Sequence, residues 1–282
     1  MSQAALDAVV RLLDLEAIEV NIFRGVSPDE QVQRVFGGQV AGQALVAAAR
    51  TVDRGSVHSL HAYFLRPGDP TVPILYQVDR IRDGRSFTTR RVVAILHGRA
   101  IFNLAASFHV EEEGLDSQMP MPDVSGPEEF AHATTLWAEM GERFGDFMSR
   151  DRAIDIRYVE DLPFQRQGTQ SSEMQVWMRA DGVLPDDPVL HTCFLTYASD
   201  ITLLNTSLLP HGTNALDDSI MMASLDHAMW FHRSFRADEW LLYAQDTPSS
   251  SGGRGLARGS VFTRSGTLVA SVVQEGLIRR RS

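Results

Sequence analysis

The sequence predicts an α+β protein built from two copies of one module, whose sheets join edge to edge into a single antiparallel sheet. The chain has 282 residues, which suits two domains of about 100–150 residues better than one. The first half carries a helix of small residues followed by four strand signals. The second half repeats strands of this kind, and its run at 223–233 echoes the run at 58–67. Edge-to-edge joining would also cover strand edges that are prone to aggregation.

Composition argues against several classes of function. Hydrophobic residues make up 44% of the chain, yet no apolar run approaches the roughly 20 residues that span a bilayer. Residues 1–19 lack the features of a secretory signal, so stable membrane insertion is not expected. The net charge of −10 argues against nucleic-acid binding. All 26 basic residues are arginine, which excludes lysine-based catalysis. The single cysteine, Cys193, cannot form an internal disulfide, and we expect a cytoplasmic protein.

Periodicity predicts the elements of the first module. Residues 5–13 have the spacing of an amphipathic helix, and residues 15–25 alternate like a strand. Residues 36–50 form the helix of small residues, which can approach a sheet closely. Antiparallel strands joined by Gly-containing turns follow at 56–65, 72–81, 87–96 and 100–110.

Gly37 and Gly38 stand at the start of this helix and leave backbone N–H groups uncovered. A helix N-terminus of this kind can hold an anion or a polarised carbonyl oxygen. A plain turn into the helix is the alternative, and from the sequence alone we favour it.

The segment 113–150 is predicted to form a linker and a bridging helix. Three prolines between residues 120 and 127 interrupt regular structure. Apolar residues then recur at helical spacing from Leu136 to Met148. The predicted division is an N-terminal module at 1–112 and a C-terminal module at 151–282 that carries the catalytic residues.

The second module begins with predicted strands at 154–159 and 173–179. Residues 190–199 then lead into the segment 200–209, which takes the place of the central helix. The apolar run at 193–197 predicts a strand that buries the Cys193 thiol as a small hydrophobe. Alignment of the two copies places His61-Ala62 on His227-Ala228. After a one-residue gap it places Asp79 on Asp246, Arg91 on Arg258 and Ser107 on Gln274.

Three polar residues on apolar segments of the second module are candidates for catalysis: Asp200, where a strand meets a helix, Ser224 and Gln274. Singly, each has an ordinary explanation as a helix N-cap, a filler hydroxyl or a satisfied core amide. Together, a carboxylate can accept a proton from water while a hydroxyl and an amide fix that water's orientation. Such a trio suits hydrolysis of an activated acyl compound without a covalent intermediate.

Other sites are less favoured. No Gly-x-Ser-x-Gly elbow is present, and no His/Cys cluster has metal-ligand spacing, so neither a metal nor a cofactor is expected. Asp226 and His227 are neighbours on a strand and point to opposite faces. His58 and His61 are interpreted as structural or as part of the module interface.

The Gly-rich run at 251–255 matches no phosphate-loop pattern and predicts a flexible loop. Arg254 or Arg258 beside it is a candidate to contact a nucleotide phosphate.

Five motifs occur in order along the chain: FGGQVAGQAL at 36–45, HSLHAYFLRPG at 58–68, RDGRSF at 82–87, DHAMWFHR at 226–233 and VQEG at 273–276. In these motifs, and over residues 10–281, the sequence resembles the bacterial acyl-CoA thioesterase II family of the TesB type, which is related to peroxisomal acyl-CoA thioesterases.

The resemblance implies a double hotdog fold, in which two strand-wrapped helices share one continuous antiparallel sheet. It implies hydrolysis of fatty acyl-CoA to fatty acid and CoA, with the family's acid at Asp200, its hydroxyl at Ser224 and its glutamine at Gln274. The family's usual hydroxyl residue is threonine, so Ser224 departs from the pattern. One working site per chain is expected because the first copy lacks the acid.

The predicted partners are a substrate and further copies of the chain, and two other functions are possible. Hotdog proteins commonly assemble further, so a homodimer or homotetramer is expected, with acyl-CoA as the substrate. A hotdog enoyl-CoA hydratase and a non-catalytic acyl-CoA-binding protein are the alternatives. The hydratase would need an aspartate and a histidine that converge on one substrate.

Overall fold

A computed structural model of the chain describes residues 2–28, 34–139, 152–160, 168 and 171–281. Over these residues it contains a 13-stranded sheet with two central helices packed on it. The helices are α1 (Gln3–Leu13), α2 (Gly37–Ala49), α3 (Ala133–Glu139) and α4 (Pro188–Ser199), with short 3₁₀ helices at Pro127–Glu129 and Leu203–His211. The strands are β1 (Glu16–Glu19), β2 (Ile22–Gly25), β3 (Ser56–Phe64), β4 (Ile74–Asp83), β5 (Phe87–Leu96), β6 (Arg99–His109), β7 (Ile154–Tyr158), β8 (Glu173–Ala180), β9 (Ile220–Ser224), β10 (Asp226–Phe231), β11 (Leu241–Ser251), β12 (Arg254–Thr263) and β13 (Leu268–Arg280).

The two halves of the sheet repeat one strand order. The N-terminal half runs β1-β2-β4-β5-β6-β3, and the C-terminal half continues as β10-β13-β12-β11-β8-β7, with β9 added beside β13. At the centre β3 and β10 pair antiparallel, with His61 opposite Ala228, and this pairing joins the halves. The predicted double hotdog architecture is confirmed, whereas the module boundaries at 112 and 151 stay a prediction.

An ion pair between opposite residues of two neighbouring strands recurs in both halves and supports the repeat, and we call it the ladder ion pair. Arg91 lies opposite Asp79 across β4 and β5, and their side chains form an ion pair. Arg258 lies opposite Asp246 across β11 and β12 and does the same. The alignment that placed these residues on each other is therefore confirmed for these strands.

The alignment of β3 with β10 is wrong by one residue. Leu60 and His227 are buried, whereas His61 is exposed. Because a one-residue slip moves every side chain of a strand to the other face, residues that correspond must share a face. His227 therefore corresponds to Leu60, and His61 corresponds to Ala228.

The central helices α2 and α4 pack antiparallel at two glycines. A β-carbon on Gly38 would lie 2.3 Å from the Tyr197 carbonyl oxygen, and one on Gly42 would lie 3.2 Å from that of Cys193. Only glycine permits so close an approach at Gly38. As a result, the N-terminus of α2 lies beside the C-terminus of α4.

Cys193 lies inside α4, so the predicted strand at 193–197 is wrong, and the central helix lies at Pro188–Ser199 rather than at 200–209. The helix is buried on most sides, including His191, Phe194 and Leu195. A short apolar run of this kind lacks the periodicity that separates a helix from a strand. Burial raises the pKa of the Cys193 thiol well above its usual range, as expected for a structural thiol.

Two further elements differ from expectation or extend it. The predicted strand at 15–25 is a hairpin, because Asn21 adopts a left-handed conformation (φ 63°) between β1 and β2. The linker packs Met121, Val124 and Phe130 against the sheet cluster around Trp177. The predicted bridging helix is described only as α3, and its part from Met140 onward lies outside the described residues.

Candidate active site

Asp200 follows α4 directly. Its backbone is still helical (φ −81°, ψ −8°), and it forms the C-terminal cap of that helix. The expectation that a strand meets a helix here, with aspartate as the N-cap, is wrong. The N-cap of α4 is Asp187, whose carboxylate accepts a 2.9 Å hydrogen bond from the Val189 N–H group.

The structure brings Asp200, Ser224 and Gln274 together. Ser224 ends β9 opposite Gly276, and Gln274 lies two residues before Gly276 on the same face of β13. The Gln274 Nε2 group donates to Asp200 Oδ1 at 2.6 Å and to Ser224 Oγ at 3.0 Å. Ser224 Oγ lies 3.5 Å from Asp200 Oδ1, at the limit of a hydrogen bond. The three side chains form one connected group around the Asp200 carboxylate.

The N-terminus of α2 also faces this carboxylate. The Gly38 N–H group acts to lower its pKa, and a β-carbon on Gly37 would lie 2.7 Å from Asp200 Oδ2. The interpretation of these glycines as a plain turn is therefore wrong, since the helix N-terminus meets an anion, as its dipole favours. The sequence signal was the glycine pair at the helix start. The missing information was that the anion comes from the other half of the chain.

Burial raises the pKa of Asp200 to about 6. The hydrogen bonds from Gln274 and Ser224, together with the nearby Gly38 N–H group, act in the opposite direction because they stabilise the ionised form. Part of the side chain still reaches solvent, yet desolvation is the largest effect. The carboxylate is thus ionised at neutral pH and more basic than an ordinary aspartate, which suits it to accept a proton.

The first half of the chain has a valine where the second half has Ser224. Val57 lies opposite Phe108 immediately before a bulge in β3. Ser224 lies opposite Gly276 immediately before the break that separates β9 from β10. Val57 has no hydroxyl, so this position in the first half cannot orient a water.

Ala106 occupies the place of Gln274 in the first half. Ala106 lies opposite Arg90, which immediately precedes Arg91 of the ladder ion pair. In the second half, Gln274 lies opposite Ala257, which immediately precedes Arg258 of the ladder ion pair. Ser107, which the sequence alignment placed on Gln274, follows Ala106 and points to the other face of the sheet. The sequence alignment is therefore wrong by one residue here as well.

Two protein-family models match the chain. The family model for acyl-CoA thioesterase matches residues 147–277, and the family model for the acyl-CoA thioesterase N-terminal domain matches residues 26–109. Acyl-CoA thioesterase 2 of Haemophilus influenzae is 40% identical over 97% of this chain and 98% of its own length. The chain belongs to the acyl-CoA thioesterase family.

Solved structures agree with this assignment. An acyl-CoA thioesterase II, TesB2, from Mycobacterium marinum is 47% identical, with a TM-score of 0.82 over 97% of this chain and 99% of its own. A hot dog fold protein of unknown function from Alicyclobacillus acidocaldarius is 19% identical, with a TM-score of 0.78 over 98% of this chain and 99% of its own. The second likeness supports the fold alone.

The Asp226-His227 pair of this thioesterase does not act as a unit. Asp226 accepts a 2.7 Å hydrogen bond from the Glu275 N–H group. His227 is buried on the other face, where its Nε2 atom lies 2.9 Å from Ser199 Oγ. Burial lowers the pKa of His227 to about 4, so the ring is neutral at physiological pH.

The two early histidines lie away from the trio. His58 Nε2 lies 2.8 Å from Ser107 Oγ. His61 lies at the junction of the two halves, with its ring edge-to-face against Trp230 at 5.2 Å between centroids. Within the described parts of the chain, no group of His, Cys, Asp and Glu residues has a geometry that could hold a metal ion, and no helix is long and apolar enough to cross a membrane.

Proposed function

We propose that this thioesterase hydrolyses fatty acyl-CoA by direct attack of a water molecule that Asp200 activates and that Ser224 and Gln274 orient. Family membership makes the chain an acyl-CoA thioester hydrolase. The observation that carries the catalytic assignment is the Gln274 amide, which joins the Asp200 carboxylate and the Ser224 hydroxyl at 2.6 and 3.0 Å.

In the proposed step, Asp200 takes a proton from the water as its oxygen attacks the thioester carbonyl carbon. The C–S bond then breaks, and the leaving CoA sulfur receives the proton from Asp200. The products are the fatty acid and CoA. Gln274 Oε1 is buried without a hydrogen-bond partner among the described residues.

The N-terminus of α2 has a supporting role in this proposal. Negative charge develops on the thioester oxygen during attack, and backbone N–H groups at a helix N-terminus stabilise such charge. Because Gly37 packs directly against the Asp200 carboxylate, this helix terminus also holds the base in position.

The test compares CoA release by wild type and Asp200→Asn over a series of acyl chain lengths. We expect kcat to fall by about 100-fold or more, since general base catalysis contributes that much. Asp226→Asn is the matched control, because its carboxylate lies nearby on another face, and its kcat should stay near the wild-type value. A folded Asp200→Asn enzyme with wild-type kcat would refute the assignment.

The two alternative functions, a hydratase and a non-catalytic binder, predict different results in substrate assays. A hydratase would convert enoyl-CoA, but Asp226 and His227 lie on different faces, which does not favour it. A non-catalytic binder would bind acyl-CoA tightly with no turnover at any chain length. A cytoplasmic location stays a prediction. Assembly as a homodimer or homotetramer also stays a prediction, and light scattering on the purified protein measures the oligomeric state.

A further inference from the structure

A cavity of about 380 Å³ lies at the far end of the strands that carry Ser224 and Gln274. This volume lies within the range of small-molecule sites. Its apolar lining includes Leu208, Ile220 and Ile278, and its basic side chains include Arg254, Arg280 and Arg281. We refer to it as the arginine cavity.

The arginine cavity and the catalytic trio share one face of the sheet. Alternate residues of a strand point to the same side, so Ile220 lies on the face of Ser224, and Arg280 lies on the face of Gln274. Ile220 pairs with Arg280 across β9 and β13. From Ser224 to Ile220 the strand spans about 13 Å. Met222 lies between them, and both Met222 and Ser224 are partly exposed.

The charges of the arginine cavity suit a phosphorylated ligand. The chain has a net charge of −10, yet three arginines line this cavity. Arg280 and Arg281 form no ion pair with another described residue. Arg254 lies opposite Leu277, so its side chain leaves the sheet on the other face, where its Nε atom donates to Glu275 at 2.9 Å. Arg280 is therefore the arginine of this cavity that shares the face of the trio. Guanidinium groups match phosphate oxygens in geometry and charge.

The carboxylate in the wall of the cavity is already satisfied. Asp217 accepts hydrogen bonds from the Thr213 hydroxyl at 2.7 Å and from both the N–H and the hydroxyl group of Ser219. These bonds lower the pKa of Asp217 to about 2, and the charge of Arg280 adds to the effect. Asp217 therefore offsets part of the arginine charge without occupying the guanidinium groups.

We propose that the arginine cavity binds the phosphorylated adenine-nucleotide end of acyl-CoA while the trio acts on the thioester. The inference rests on the proposed function. The pantetheine arm has about as many chain bonds as an extended tetrapeptide, which spans about 13–14 Å, and this matches the strand distance between cavity and trio. An acyl chain in the same place would leave the arginines without an anionic partner and would desolvate them.

The first test compares an acyl-CoA with the same acyl group on pantetheine, which has no nucleotide. In Arg280→Ala we expect the KM for acyl-CoA to rise about tenfold or more, as loss of a charged hydrogen bond implies. The KM for acyl-pantetheine and both kcat values should stay near wild type. Arg279→Ala is the matched control, since it removes the same charge one residue away on the opposite face of β13.

The second test does not depend on catalysis. Calorimetry with adenosine 3′,5′-bisphosphate should show binding to wild type and to Arg279→Ala, and at least about tenfold weaker binding to Arg280→Ala. Equal KM changes for both substrates, equal effects of the two variants, or no effect of Arg280→Ala would each overturn the proposal. An active Asp200→Asn enzyme would refute the catalytic roles and leave the nucleotide result intact.

Discussion

Gly37 lies so close to Asp200 that a β-carbon on the glycine would come within 2.7 Å of the Asp200 Oδ2 atom. The contact crosses from the central helix of one half to the candidate acid of the other. It arises because α2 and α4 pack antiparallel, which places the start of one helix beside the end of the other. The geometry of the acid therefore depends on both halves, although all three members of the trio come from the second.

Gly37→Ala should reduce kcat by about tenfold or more. The added methyl group would displace the Asp200 carboxylate, and a misplacement of about 1 Å can cost about 100-fold. Alanine is also a better helix former than glycine, so lost helix propensity would not explain the defect. Steady-state kinetics with thermal unfolding checks this. Gly114→Ala is the control, because a β-carbon there meets nothing within 4 Å. Unchanged kcat in Gly37→Ala would contradict the prediction.

The rate should rise with pH through about 6 and level off above it. Asp200 must be ionised to accept a proton, and burial raises its pKa to about 6. The Gln274 hydrogen bond lowers this pKa, so Gln274→Met should move the inflection to higher pH as well as reduce kcat. A pH profile of kcat/KM for both enzymes measures the effect. An inflection at the same pH in both would show that Gln274 does not tune the carboxylate.

Ser224→Thr should keep kcat at or above the wild-type value. Threonine retains the hydroxyl group, and its β-branch restricts χ1 and suits a strand. Ser224→Ala removes the hydroxyl and should lower kcat by about fivefold, since a neutral hydrogen bond is worth about 1 kcal/mol. Kinetics of the two variants on one acyl-CoA decides the point. Equal rates in Ser224→Ala and wild type would leave the hydroxyl without a role.

His227→Leu should make the protein more resistant to acid. Burial lowers the folded-state pKa of His227 to about 4, below its ordinary 6.5. The neutral ring is therefore favoured on folding, and wild type should lose about 3 kcal/mol of stability as pH falls from 6.5 to 4. Leucine fits the position, because the corresponding residue in the first half is Leu60. Urea unfolding at a series of pH values should show that the variant lacks this loss while its kcat stays near wild type. A parallel loss in both proteins would be the contrary result.

Periodicity was sufficient for most elements of the fold. Strands β3 to β6 and helix α2 lie close to their predicted bounds, because their side chains alternate or recur according to which face is buried. It failed for α4, where residues around Cys193 are buried on most sides and the apolar run carries no period. It also failed at Asn21, where one left-handed residue turns a predicted strand into a hairpin.

The candidate trio was predicted from residue types together with the family resemblance, whereas its surroundings were not predicted. A carboxylate, a hydroxyl and an amide on apolar segments indicated Asp200, Ser224 and Gln274 before any contact was known. The alignment of the two halves, however, was one residue out in β3 and in β6. Side-chain direction reverses with each residue of a strand, so an error of one residue placed Ser107 where Ala106 lies.

Local composition and spacing determined the two-module organisation, the antiparallel strands and the chemical character of the site. Only the tertiary structure decided which face each side chain occupies and which helix terminus meets the acid. It also placed the arginine cavity on the same face as the trio. The physical reason is the sequence separation over which each feature arises. Strand and helix patterns arise within about ten residues, whereas the contact of Gly37 with Asp200 and the shared face of β9 and β13 exist only once distant segments pack together.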